Sequence, residues 1–347
     1  MTSRERVMTA FEHREPDKVP RWCGASDEFW AKAKGALSLD DEGLRLRFGD
    51  DFRRVFARYA GPEINLNEGA TWESPFGVQR KGIGYGQPLS HPLAEATTVK
   101  EAADYRWPDP EWMDVTHVAG DAREWRGEYA ILGGDWSPYW HDVIDLVGHE
   151  NLYYMMFDYP EVAEEIFRRV VDYYYGVSEN TFEAAADEID IFFIGNDLGS
   201  QNGPLLSVDL FRRFILPGLK RLIDLGHRYG LKVMLHCCGG FRPLIPDMIE
   251  AGLDGLHALQ PDAAGMDPAG LKRDFGGAIL LNGAIDSHHI LIDGESPGWV
   301  RRQTLEILGI MAPGGGYVAG ASHDTILEET PLENVLAMFD AVEEFCP

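Results

Sequence analysis

The residues best suited to chemistry are His236 and Cys238, in the run KVMLHCCGG (232–240). On an extended strand, side chains two residues apart point to the same side. His236 and Cys238 therefore face together, and Cys237 faces the other way. An imidazole and a thiolate on such positions are the beginning of a zinc site. Gly239 and Gly240 allow backbone or ligand to come close. The competing reading is a buried, hydrogen-bonded histidine beside inert core cysteines. A catalytic zinc site commonly has three protein ligands and one open position. His323, Cys23 and Asp197 are the candidates for the third ligand. His323 ends the last predicted strand, which lies beside the first if the sheet closes.

Asp197 ends the apolar run IDIFFIGND (189–197). A carboxylate there must be paired or metal-associated, or must cap the following loop through backbone N–H groups. His257, inside GLHALQ, reads first as a core histidine. His288 and His289, just after Asp286, read as surface residues at a helix start.

These residues need a scaffold. Short β-rich runs alternate with longer amphipathic ones. The runs are VPRWCG (19–24), RRVFARY (53–59), ILGGDW (131–136), IDIFFIGND (189–197), KVMLHCCGG (232–240), GLHALQ (255–260), AILLNGAID (278–286) and YVAGASHD (317–324). Helical segments such as PEVAEEIFRRVVDYYYGVSENTFEAA and VDLFRRFILPGLKRLIDLGHRYG lie between the later ones. RRVFARY could equally be helical. Eight strand–helix units predict an α/β fold, a (β/α)8 TIM barrel, as one domain over residues 1–347. No glycine-rich phosphate turn follows the first run, against an open doubly wound sheet. Residues near 60–128, rich in Gly and Pro, read as a long irregular insertion over the barrel mouth.

In such barrels the active site lies at the strand C-termini. Those ends here read Cys23, Asp135, Asn196–Asp197, His236–Cys238, Gln260, Asn282–Asp286 and His323–Asp324. Cys23, Asp135, Trp136, Asn196, Gln260 and Asn282 are the expected lining of a substrate pocket. Trp136, Tyr139 and Trp140 could stack an aromatic substrate, although core filling is the commoner use of such rings.

The chain has 347 residues and a formal net charge of −26, which repels nucleic acid and anionic membranes. Four cysteines, Cys23, Cys237, Cys238 and Cys346, are too few for a disulfide scaffold. With no signal-peptide core and no apolar run of membrane length, a cytoplasmic location is expected. GxSxG, HExxH and P-loop motifs are absent.

Most of the chain resembles the uroporphyrinogen decarboxylase superfamily, which also contains corrinoid-dependent methyltransferases. The resemblance is carried together by REPDKVP, IDIFFIGNDLGSQNGPLLS, LKVMLHCCGG, GLDGLHALQP, LNGAIDSHHIL and GGGYVAGASHDTILEETPLENV. It implies the same (β/α)8 barrel and a homodimer. True decarboxylases carry an arginine-rich loop after the first strand, where this chain reads RWCGASDEFW. The methyltransferase branch carries His-x-Cys after the fifth strand and a later Cys, all binding zinc. His236 and Cys238 match that spacing, and His323 stands where the later Cys would be. The resemblance thus implies Zn2+ held by His236, Cys238 and His323. Asp197 and His323 become the expected catalytic residues. The implied reaction moves a methyl group between an O- or S-methyl compound, such as an aryl methyl ether, and a corrinoid on a partner protein. A metal-free decarboxylase, with Asp197, Asp50 or Asp51 as proton donor, and a non-catalytic corrinoid or small-molecule binding barrel are the alternatives.

Overall fold

Strand periodicity divides the core in two. The computed structural model describes residues 1–65, 71–82 and 86–345, so Cys346 and small parts of the predicted insertion lie outside the described residues. Its main sheet has seven parallel strands in chain order: β1 (Phe52–Arg54), β2 (Ala130–Gly133), β3 (Ile191–Gly195), β4 (Lys232–His236), β5 (Gly255–Leu259), β6 (Leu280–Ile285) and β7 (Tyr317–Ala321). Along β3 to β7, one set of alternate residues, including Phe192, Ile194, Val233, Leu235, Leu256 and Leu281, joins the large core that includes the helices. The other set, Phe52, Ala130, Leu132, Ile191, Phe193, Met234, Leu280 and Val318, forms a separate inner cluster with Trp22. The helix α1 (Ser3–Phe11) contributes Val7, Ala10 and Phe11 to that cluster. Its start is fixed by a capping box between Thr2 and Glu5.

The architecture is α/β and TIM-barrel-like, with one correction. VPRWCG, read as the first of eight strands, is not a strand of the sheet, which has seven. It makes only isolated bridges, Arg21 to Ala319 and Ala25 to Ile326. Pro20 has no N–H to give, so a continuous ladder cannot form there. The sheet nevertheless curls far enough for this segment to bond both edges. Trp22 N donates to Ala319 O at 2.9 Å, and Asp51 N donates to Arg21 O at 3.0 Å. The second predicted strand is also shorter than expected: β1 stops at Arg54, and Arg58–Tyr59 pairs instead with Met113–Asp114.

The predicted insertion is more ordered than expected. It holds a small antiparallel sheet (Thr71–Glu73, Gln79–Lys81, Gln87–Pro88) and short helices at Val99–Ala103 and Val118–Arg123. Arg80 anchors it, bonding Asp142 at 3.1 Å and also Asp145, both on α2 (Tyr139–Val147). The long helix α3 (Pro160–Ala185) supplies Tyr174, whose hydroxyl donates to Asp142. No helix of the described residues is long and apolar enough to cross a membrane.

Burial is the main cause that pushes Asp142 up to about 7, against the pull of Arg80. Burial likewise pushes Asp50 up to about 6, against Arg45 and Arg53. Both groups hold their proton more tightly folded than unfolded, where a carboxyl titrates near about 4. The native state therefore binds more protons between about pH 4 and about pH 7, and these groups make stability fall as pH rises through that window. Asp142→Asn should flatten the upper part of this slope, read as a smaller difference in denaturant midpoint between about pH 5 and about pH 8. An unchanged difference would mean that Asp142 does not titrate there.

Candidate metal centre

The inner face of the sheet changes character near the strand C-termini. Above Phe52, Met234, Gly255 and Leu280, two residues further along each strand, stand Arg54, His236, His257 and Asn282. Apolar packing below and polar side chains above follow from the same period of two. Gly195 holds the corresponding place on β3, because a Cβ there would overlap the Trp136 indole. Trp136 packs beside His236, with ring centroids 5.3 Å apart, and the Arg54 guanidinium sits 4.9 Å from the Trp136 ring.

His236 and Cys238 do face together. Cys238 Sγ lies 3.3 Å from His236 Nε2. The third donor is Asp197, from the loop after β3, with Oδ1 3.3 Å from His236 Nε2. Donor atoms of Asp197, His236 and Cys238 all lie within 4.8 Å of one another. Asp197 Oδ1 also accepts the backbone N–H of Cys238 at 2.9 Å, so one carboxylate ties the β3 loop to the β4 loop. Gly239 N donates to Gln260 Oε1, which clamps the same turn from the β5 side.

The electrostatics follow from packing. Burial opposes the charge of Asp197, but the hydrogen bond and charge of His236, with His141 and the Cys238 N–H, hold its carboxyl well below the usual range. Burial works against a charged His236, yet Asp197 and Asp324 raise it. Burial and then the Asp197 charge push the Cys238 thiol up. Burial drives His257 far down, helped by His236.

Two further histidines stand at the centre: His141, which the sequence reading did not weigh, and His257, which it took for a core histidine. His141, on α2, accepts the Asp197 N–H at 3.2 Å and lies 3.5 Å from Asp197 Oδ2. Its burial lowers its affinity for a second proton. His257 is fully buried, as a core histidine should be, but its Nδ1 meets His236 Nδ1 at 3.1 Å. Its place on the strand beside His236 was the available signal.

The remaining expected residues are dispersed. His323 does not join Asp197, His236 and Cys238 among the described residues. Its Nδ1 is turned to Thr325, 3.1 Å from both N and O, because the chain bends sharply after β7. With Gln260 it lines a small cavity of about 170 Å³. Cys23 is buried, its thiol pushed up by burial and then by Asp50, and it lines a separate cavity of about 460 Å³ with Trp22, Arg54 and Asp324. Asp135 and Trp136 line a third, largely aromatic cavity of about 510 Å³, between the insertion and α3. Asn196 is spent on structure: Nδ2 donates to Ser137 O at 3.1 Å, and Oδ1 accepts the Trp140 N–H at 2.9 Å. Asn282 is fully buried, and neither side-chain amide atom has a hydrogen-bond partner among the described residues. Tyr139 and Trp140 are fully buried core residues, while His288 and His289 are largely exposed beyond the Asp286 cap.

A family model described as Uroporphyrinogen decarboxylase (URO-D) matches residues 94–345. The Methylcobamide:CoM methyltransferase MtaA of Methanosarcina barkeri is 28% identical over 159 residues, 45% of this chain and 42% of that protein. A Uroporphyrinogen decarboxylase of Coxiella burnetii is 25% identical over 197 residues, 55% of this chain and 50% of that protein. The chain thus spans about half the length of these relatives or less. A solved methyltransferase from Methanosarcina mazei superposes with a TM-score of 0.68 at 21% identity, covering 99% of both chains, which shows a shared fold.

Proposed function

Because this chain belongs to the uroporphyrinogen decarboxylase family, we propose that it is a zinc-dependent methyltransferase. It moves a methyl group between an O- or S-methyl compound and a corrinoid carried by a partner protein. The observation that carries this reading is the convergence of one imidazole, one thiol and one carboxylate within 4.8 Å. That donor set suits zinc, and three ligands leave a position for a substrate atom. His236, Cys238 and Asp197 would hold the ion; when bound, zinc would act as a Lewis acid toward the heteroatom that carries the methyl group.

The chain's own residues have distinct parts in this proposal. Asp197, kept ionised by its neighbours, is a fixed negative charge and the third ligand, in place of His323. His141 accepts the Asp197 N–H through Nε2, and burial opposes its protonation, so it holds the third ligand in place, while the heteroatom that gives up its methyl group would take its proton from solvent. The sequence reading made Asp197 the proton partner of the leaving heteroatom, but a carboxyl held well below the usual range has no proton to give near neutral pH. Trp136 covers one side of His236 and limits water there.

Decarboxylation is less well supported. The cavity of about 460 Å³ is lined by Arg45, Arg53 and Arg54, and also by Asp41, Glu42, Asp50 and Asp324, so acids outnumber bases there. Arg45 bonds Asp50 at 2.6 Å and Arg53 bonds Glu42 at 2.6 Å, so both are already matched by acids. A polycarboxylate would meet little free positive charge from them.

The test is metal analysis of chelator-free protein followed by methyl transfer from methoxybenzene or a methyl thioether to reduced cobalamin, followed by its visible spectrum. About one zinc per chain and methylcobalamin formation are expected. Metal-free protein that releases carbon dioxide from a porphyrinogen would overturn the proposal.

A further inference from the structure

We propose that His257 is a positioning residue for the metal-binding imidazole of His236, backed in turn by the Asp324 carboxylate. The inference rests on the zinc reading above and deepens it. His236 turns Nε2 toward Cys238 Sγ and Asp197 Oδ1, each 3.3 Å away. Its other nitrogen, Nδ1, lies 3.1 Å from His257 Nδ1. A neutral imidazole that gives Nε2 to a metal carries its proton on Nδ1. That proton can go only into a hydrogen bond toward His257 Nδ1, which must then be the acceptor. The tautomer of the second ring follows: neutral His257 carries its proton on Nε2.

That second N–H has a definite outlook. His257 Nε2 is buried, makes no hydrogen bond among the described residues, and faces Asp324 Oδ1 at 3.7 Å. Trp22 and Phe193 pack on the ring, with centroids 4.4 and 5.3 Å away, and restrict its rotation. Asp324 also lines the cavity of about 460 Å³. The structure therefore arranges ligand imidazole, second imidazole and carboxylate in series, running from the metal centre to a cavity wall. Metal-binding histidines ordinarily give their second N–H to an oxygen acceptor; here an imidazole takes that place. Asp197, His236 and Cys238 stay the ligands, and His257 acts through His236.

The competing arrangement is a second cation held by His236, His257 and Asp324, whose donor atoms also lie within 4.8 Å of one another. A pair of variants separates the two. His257→Asn keeps an acceptor oxygen where Nδ1 stood, and His257→Leu keeps a similar volume without it. Asn is smaller than Leu, so packing alone would favour His257→Leu, opposite to the effect expected of the hydrogen bond. Zinc affinity would be measured by chelator competition on the full chain, with thermal midpoints as the check on folding. His257→Leu is expected to bind zinc about 10–100-fold more weakly than the parent, with the Asn variant close to the parent. Asp324→Leu should weaken zinc in the parent but cause little further loss in His257→Leu, because the two act through one path. Equal zinc affinity in the Asn and Leu variants would overturn the inference while leaving the zinc reading intact. So would a second zinc ion in the parent that is lost in Asp324→Leu, which would make His257 a ligand. A parent chain that takes up no zinc would sink the zinc reading, and this inference with it.

Discussion

Cys238→Ala should remove the bound metal and all methyl transfer, whereas Cys237→Ala should do neither. The two cysteines are neighbours in sequence but lie on opposite faces of the β4 extension. Cys238 Sγ is 3.3 Å from His236 Nε2 and within the donor triad. Cys237 is fully buried and accepts the Leu198 N–H at 3.3 Å. Loss of a direct ligand should weaken zinc by more than the roughly 10–100-fold that outer partners cost. Loss of the Cys237 sulfur leaves a buried N–H and a small void, a cost of about 1–3 kcal/mol in stability with the metal retained. Metal content and thermal midpoints of the two variants decide the matter. The raised affinity of the Cys238 thiol for its proton adds a signature: zinc uptake must release that proton, so binding weakens as pH falls. Zinc retained in Cys238→Ala would remove the basis of the proposed chemistry.

Asp197→Asn is expected to have the second-largest effect. The amide keeps the shape and can still accept the Cys238 N–H, so the loop pair should hold. What goes is the negative charge between His236 and His141. Zinc affinity should fall by more than the roughly 10–100-fold that outer partners cost, because a ligating charge is lost, and kcat at saturating zinc should fall with it. Asp197 holds its proton less tightly folded than unfolded, so its contribution to stability is fully present above about pH 5; Asp197→Asn should lower the thermal midpoint there, and the difference from the parent should shrink as pH falls below about 4. An unchanged rate and zinc content would reduce Asp197 to a backbone clamp, which was the competing sequence reading.

The particular successes and failures of the sequence reading have common causes. Strand runs such as IFFIG are apolar and made almost wholly of β-branched and aromatic residues, so their existence was evident. VPRWCG is as long, but Pro20 removes a ladder donor and the segment ends as isolated bridges. RRVFARY was ambiguous because its alternation breaks at Val55, and only its start pairs in the sheet. The insertion looked irregular because its strands are two or three residues long, too short to show a period.

By itself, the sequence determined that His236 and Cys238 share a side and that Cys237 does not. That is a consequence of backbone geometry over three residues, and no distant contact enters. It also determined the apolar floor and polar rim of the sheet, since both follow from alternation within each strand. Which residue completes the triad was decided only by tertiary structure. Asp197 is selected over His323 because the β3 and β4 loops are tied by the Cys238 N–H, while the turn after β7 directs His323 Nδ1 to Thr325. His141 and His257 arrive from a helix and a neighbouring strand, at separations in sequence for which local spacing carries no information. Hydrogen bonds and packing between elements, rather than any motif, bring those rings to the centre.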